Sequence, residues 1–359
     1  MRKELITNKE AICLLMIFYF GSSLILGIGG EAKNDAWISG IVGIFMALPM
    51  ILIYSRILSL FPGKDLFEIL EIVFGKIIGK IFTILYVWYS FHLGALVIRN
   101  FGEFINTVSM PETPMLVPMF CLTIICILGT KSGVEVLARS SALILPVILF
   151  MMIAVQIMGL NLLEIRNLRP IFSNGVPVIL KGGATAFSFP FAESVVFLGI
   201  FSSLKTKNSL YKVFIIGTLF AGLLIIIITL RNILTLGGLH EKVYFPEYVA
   251  VSRIKIGDFI ERIELSVALV FVVGAFIKVS ICLLVACKGI TSLFRLDDYR
   301  SIVIQVGLLM LYFSFSLYNS IMEMSNWAFQ VYFYYAFPFQ VIFPIILFVT
   351  SEIKERMRN

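Results

Sequence analysis

Charge is scarce in this sequence. Asp, Glu, Lys and Arg make up 14% of its 359 residues, where an average soluble domain carries about 25%. There are two histidines and three tryptophans, and no soluble loop brings Cys/His, Ser/His or paired carboxylates together at catalytic or metal-binding spacing. No Gly-x4-Gly-Lys-Ser/Thr loop is present, which excludes a P-loop ATP motor. No ladder of arginines suggests a voltage sensor, and no long basic run suggests a nucleic-acid partner. The five cysteines, Cys13, Cys121, Cys126, Cys282 and Cys287, all lie in apolar runs. Their odd number argues against a disulfide scaffold. The pairs 121/126 and 282/287 repeat a C-x4-C spacing but lack the polar setting zinc needs, so they read as buried thiols behaving as small hydrophobes. Neither a metal nor another cofactor is expected, and no enzyme activity.

Apolar residues are what the chain has in excess. They form 59% of it, more than a soluble globule of this size can bury, and the composition specifies an all-α polytopic membrane protein. Runs long enough to cross a bilayer fall at about 11–30, 37–60, 78–100, 114–130, 133–158, 183–204, 209–231, 263–291, 301–318 and 328–350, ten in all. Glu4, Lys9 and Glu10 interrupt the first approach and no small-residue cleavage site follows, so a cleaved signal is not expected. With the N-terminus inside, eighteen Lys and Arg fall in cytoplasmic segments and ten outside. The positive-inside rule therefore places both termini in the cytoplasm, and the net charge of +7 suits loops facing an anionic leaflet. KDLFEILEIVFGK at 64–76 follows Pro62-Gly63 and reads as a short interfacial helix. The outer loop 232–262 is either a lid over the outer mouth or a solvated loop.

Residues 1–359 are expected to form one transmembrane unit, with ten helices that split into five plus five. An odd number per half makes the second half run opposite to the first, giving inverted repeats at about 11–158 and 183–350. Such repeats bind solutes where their first helices break. Helix one reads FYFGSSLILGIGG and helix six GGATAFSFPFAES, each the first of its half and each rich in residues that unwind or interrupt a helix. Unwound backbone persists in a bilayer only inside protein or beside a polar cavity, where the N–H groups of a half-helix attract a carboxylate. The plainer alternative is close packing through small residues.

Two ionisable residues lie at membrane depth. Glu193 sits in the middle of helix six. Lys278 lies about 15 Å from either end of helix eight at 1.5 Å per residue, too far to snorkel easily. Such groups face an interior cavity and a partner. Either the two are linked in the core, directly or through a ligand, or each is satisfied separately. His92 is also intramembrane, as a proton relay or as a packing residue. Arg99, Asn100 and Glu103 read as an interface anchor at the outer end of helix three.

The order of short motifs resembles the spore germination permease family, the integral-membrane B subunit of spore germinant receptors, within the amino acid–polyamine–organocation superfamily. The resemblance rests on ITNKEAICLLMIFYFGSSLIL, NDAWISGIVG, IYSRILSLFPGKDLFEILEIVFGKIIGKIFTILY, RNFGEFINTVSMPETP and GVEVLARSSALILP, with FSFPFAES in the second half. It implies the ten-helix inverted-repeat fold and a small-molecule site between helices one, three, six and eight. Carried onto this chain, the contacts are Gly21, Ser22 and Ser23, then Phe187, Ser188, Phe189 and Glu193, with Tyr89, Gly94, Gly274 and Lys278 as weaker members. In sodium-coupled members of that superfamily helices one and eight hold an ion. Here Lys278 lies in that stretch with Ser280 nearby, so an ammonium stands where a cation would, which counts against sodium coupling.

The resemblance implies a nutrient sensor in the spore inner membrane. It binds a small germinant, an amino acid by expectation, and signals through a membrane-anchored A subunit and a lipoprotein C subunit. The alternative is a proton- or sodium-coupled amino-acid transporter, since fold alone does not fix function. An oligomeric ion channel is a third reading, unsupported by any acidic ring or filter-like repeat.

Overall fold

A chain this apolar must satisfy every membrane-buried N–H and C=O within itself, and helices do so locally. The computed structural model describes residues 5–173, 175–204, 207–254 and 262–358. Among them the only β pairing is one isolated bridge between Ile6 and Leu204. The helices in chain order are α1 (Asn8–Leu26), α2 (Ala36–Leu60), α3 (Leu66–Val108), α4 (Leu116–Ser132), α5 (Val134–Met158), α6 (Gly175–Ser188), α7 (Lys207–Leu236), α8 (Pro246–Val251), α9 (Glu264–Phe294), α10 (Val303–Phe315), α11 (Ile321–Asn326), α12 (Tyr332–Phe337) and α13 (Phe343–Arg358). Seven described stretches are long and apolar enough to cross a membrane: α1, α2, α3, α5, α7, α9 and the continuous run α11–α13. α4 and α10 are apolar but shorter. The remaining expected crossing is interrupted, with α6 followed by a 3-10 segment, Phe191–Gly199.

Local chemistry sets the boundaries. Thr7 and Glu10 form a capping box that starts α1, and Asp65 and Glu68 form another that starts α3, each closing free N–H groups of a first turn. α3 breaks at Gly75, whose φ of 77° is glycine territory, so the short helix expected at 64–76 is present as the first turns of α3. Two expected starts are corrected. α6 begins at 175, not 183, because Pro177 and Lys181 sit in its first turns and do not end it. The last crossing begins at 321, not 328, because Ser320 caps it by accepting from the Glu323 N–H.

Early and late helices interlock. Tyr19 on α1 bonds Thr218 on α7 at 2.8 Å, and Ser39 on α2 donates to the Ile179 carbonyl on α6 at 3.0 Å. Arg56 at the end of α2 meets Glu352 on α13 at 2.6 Å, and Glu10 meets Arg139 at 3.8 Å, so both termini lie on one face. At the other face Arg99 is buried and donates to Glu103 and, at 2.7 Å, to the Phe315 carbonyl that ends α10. The interface anchor expected there is instead an internal tie between α3 and α10.

In the outer loop, α8 is held by the buried pair Arg231–Glu247 at 2.6 Å. Burial pushes the Glu247 carboxyl up and the adjacent guanidinium pulls it back. The helix in this loop packs inward: Phe245 and Tyr248 pack on Phe104, and Pro246 sits against Gly27. Residues 255–261 of that loop lie outside the described residues.

α1 and α9 touch through backbone. A Cβ placed on Gly274 would stand 2.9 Å from the Gly21 Cα and 3.0 Å from its N, atoms that cannot rotate aside. Gly274→Val should therefore cost about 1–3 kcal/mol of stability, as overpacking does. A Cβ at Gly238 meets nothing within 4 Å, so Gly238→Ala should leave the thermal unfolding midpoint in detergent unchanged. Equal midpoints for the two variants would contradict the contact.

Candidate functional site

The two anticipated breaks exist. In α1 the break falls at Gly21, with φ −21° and ψ −115°. A Cβ there would meet the Lys278 side chain at 2.8 Å, so glycine is needed for the lysine to pass. In the sixth crossing α6 stops at Ser188, and Phe189 and Pro190 lead through a cis peptide bond into the 3-10 segment that carries Glu193. Lys278, on α9, crosses the gap and donates to a Glu193 oxygen. Both side chains are 0% exposed. The direct link weighed from the sequence is thus the observed arrangement.

A buried ion pair is stable only when its remaining hydrogen-bonding capacity is used. Glu193 Oε1 accepts from the Tyr332 hydroxyl at 2.7 Å. Tyr332 lies 3.3 Å from the Tyr89 hydroxyl, which accepts from Gln340 Nε2 at 2.9 Å. Gln340 also donates to the Ser188 carbonyl at 2.8 Å, and its Oε1 accepts from Ser188 Oγ at 2.8 Å. The Lys278 ammonium lies 5.2 Å from the Phe18 ring and 5.1 Å from the Phe189 ring, within cation–π range. The chain of bonds leaves the second half of the broken helix at Glu193 and returns to the first half at Ser188. The last crossing therefore bridges the interruption.

The last crossing can do this because it is itself irregular. Residues Trp327–Val331 and Pro338–Ile342 are π turns, a feature frequent at functional sites. Pro338 lacks an N–H, and the second π turn presents carbonyls sideways. Tyr54 donates to the Gln340 carbonyl and Tyr86 to that of Phe339 at 3.2 Å.

Against the ion pair lies a cavity of about 30 Å³, lined among others by Ser22, Asn100, Phe189, Trp327 and Tyr332, water-sized and no larger. The Ser22 hydroxyl is buried there without a partner among the described residues. On the face opposite the termini opens a vestibule of about 500 Å³ lined by Glu31, His240, Glu241, Lys242, Asn326 and Gln330. Leu26 lines both spaces. Phe189, Ala328 and Phe329 surround a smaller space that Gly29 and Thr185 also line.

Of the residues anticipated from the sequence, Ser22, Phe189, Glu193 and Lys278 line the cavity. Tyr89 and Ser188 belong to the hydrogen-bond chain behind it. Gly21 and Gly274 form the close α1–α9 contact. Three lie elsewhere. Ser23 bonds back to the Tyr19 carbonyl. Phe187 is buried where α6 packs on Gly43 of α2. Gly94 faces Met310 and Cys282, where a Cβ would stand 2.6 Å from the Met310 sulfur. His92 is enclosed by Trp88, Phe313, Trp327 and Tyr335, with Nδ1 unpartnered among the described residues, which favours packing over proton relay. Trp327, Tyr332 and Gln340 were not anticipated. The signal for Gln340 was present, an uncharged polar residue inside an apolar run. Among the described residues no group of three or more His, Cys, Asp or Glu could hold a metal, and all five cysteines are free.

Breaking a buried pair by removing one partner costs about 3–5 kcal/mol, whereas replacing both with apolar or neutral groups costs far less. Glu193→Gln and Lys278→Met should each lower the detergent unfolding midpoint, and the double variant should be milder than the sum of the two. Additive losses would show that the two charges do not depend on each other.

Residues 5–352 match the family described as "Spore germination protein". "Spore germination protein KB" of Bacillus subtilis (strain 168) is 28% identical over 364 residues, covering 100% of this chain and 98% of that one. "Spore germination protein GerQB" of Bacillus cereus is 26% identical, covering 95% and 96%. In structure the chain is similar to Mhp1, a nucleobase-cation-symport-1 family transporter solved closed with bromovinylhydantoin bound, at TM-score 0.71 and 12% identity over 98% of this chain and 90% of Mhp1. It is also similar to MhsT in complex with L-phenylalanine, at TM-score 0.63 and 12% identity over 97% and 89%. With its apolar crossings, its two broken helices and this family match, the chain is a multi-pass membrane protein with the fold of these transporters and belongs to the spore germination protein family.

Proposed function

We propose that this protein is the nutrient-sensing membrane subunit of a germinant receptor. A small molecule, an amino acid, binds at the central cavity and shifts the balance between two conformations. The observation that carries the reading is the fully buried Glu193–Lys278 pair against a water-sized cavity beneath an open vestibule. A site that small admits an amino acid only if its walls move apart. A ligand shifts such an equilibrium by its differential affinity for the two states, and a full reversal from 1:99 to 99:1 takes about 5.5 kcal/mol.

The protein acts in the spore inner membrane with both termini in the cytoplasm, so the vestibule faces the side from which nutrients arrive. The excess of Lys and Arg in segments on the terminal side supports this orientation. An A subunit with soluble domains and a lipoprotein C subunit read the conformational shift. The role is binding and signalling, without catalysis. Lys278 supports sensing over sodium-coupled transport, because the protein's own ammonium lies beside the break in α1.

The reading is tested on purified protein in liposomes with a labelled amino-acid panel. Equilibrium binding and gradient-driven accumulation are measured on the same sample. The expected result is saturable binding with no accumulation. Accumulation that collapses with a proton or sodium ionophore would establish a transporter instead.

A further inference from the structure

We propose that Glu193 and Lys278 are the specificity determinants of the site. Together they recognise a zwitterion by exchanging their mutual bond for bonds to its two charges. The proposal rests on the reading above, that the central cavity is the ligand site, and adds how that site chooses its ligand.

The geometry restricts what can enter. The cavity holds about a water's volume, and Glu193 and Lys278 form part of its wall with no exposure at all. An occupant larger than a water must displace part of this wall, and the ion pair is the charged part of it. Once parted, each is a charge in a dry interior with its chief partner gone, and such a charge is costly unless it is paired again. A cationic ligand satisfies Glu193 and leaves Lys278 unpaired. An anionic ligand does the reverse, and a neutral one repairs neither. A small molecule carrying both signs close together satisfies both at once.

The surroundings are prepared for this exchange. Glu193 stays anchored through Oε1 to Tyr332 at 2.7 Å, leaving Oε2, which now takes the Lys278 ammonium, to receive a ligand ammonium. Lys278 keeps the Phe18 and Phe189 rings at 5.2 and 5.1 Å, which hold its charge in place when its carboxylate partner is lost. The Ser22 hydroxyl, 0% exposed and without a partner among the described residues on the same wall, supplies a second donor for a ligand carboxylate. In the resting state Lys278 is thus a tethered competitor for the ligand's own cationic group. Specificity comes from the penalty on ligands that leave one member of the pair alone.

The test uses the full chain in lipid nanodiscs. Each of the twenty protein amino acids is titrated, and the tightest binder is compared with its decarboxylated amine and its deaminated acid. Wild type should prefer the amino acid over both by about a hundredfold or more, the penalty a polar site places on an analogue that leaves its groups unpaired. In Lys278→Met the amine should bind at least as tightly as the amino acid. In Glu193→Gln the acid should do so. If the single variants fail to fold, the neutral double variant, which buries no unpaired charge, should bind all three within about threefold. Binding of the amino acid whose preference survives unchanged in the double variant, or in both singles, overturns the exchange while leaving the cavity as the ligand site. Folded wild type that binds none of the twenty overturns the site reading itself, and the exchange with it.

Discussion

Everything central in this molecule depends on keeping two opposite charges in a membrane interior. Glu193 and Lys278 have no contact with solvent, and neither is tolerable there without the other. The lysine reaches the glutamate only because Gly21 has no side chain in its way. The glutamate faces inward only because its crossing stops at Ser188 and restarts as a 3-10 segment. The helix breaks and the ion pair are two aspects of one arrangement. Irregular backbone is allowed in a bilayer where protein polar groups satisfy it, and the pair with its tyrosine, glutamine and serine partners supplies those groups.

The same arrangement explains why the last crossing is distorted. Tyr332 and Gln340 must reach opposite sides of the interruption in the sixth crossing, one to Glu193 and the other to Ser188. Two π turns flank the stretch that carries Tyr332. The first turn also places Trp327 and Ala328 on the cavity and Phe329 and Gln330 on the vestibule. A change at the ion pair is therefore connected by hydrogen bonds to α3 through Tyr89 and to α2 through Tyr54. Two residues beyond Tyr54, Arg56 pairs with Glu352 on the face that holds the termini.

Much of this was legible in the sequence, and for a physical reason. Apolar runs of crossing length admit few alternatives, and an acid or a lysine in the middle of one is too costly to be accidental. That cost marked Glu193 and Lys278, while the Gly-Ser and Phe-Pro interruptions marked the breaks. What was not legible lacked such a cost. Tyr332 and Trp327 sit in a run so rich in aromatics that a functional ring looks like a packing ring. Gln340 is neutral, and its role appears only once three other crossings surround it. Ser23, Gly94 and Phe187 went astray for the converse reason. Each lies near the right residues in sequence, but the direction of its side chain depends on a backbone break that spacing alone does not describe. Arg99 looked like an anchor because a charge near a helix end commonly snorkels, and here it finds Glu103 and the end of α10 instead.

On the proposed reading, the Glu193–Lys278 bond is the element a ligand opens. The most direct measurement is a pair of electron cryo-microscopy structures of the protein in lipid nanodiscs, one without ligand and one with a saturating amino acid. The bond is expected intact in the first structure, and in the second the two side chains parted with ligand density between them and the Lys278 ammonium still against the Phe18 and Phe189 rings. An intact bond with ligand density elsewhere in the protein would contradict it.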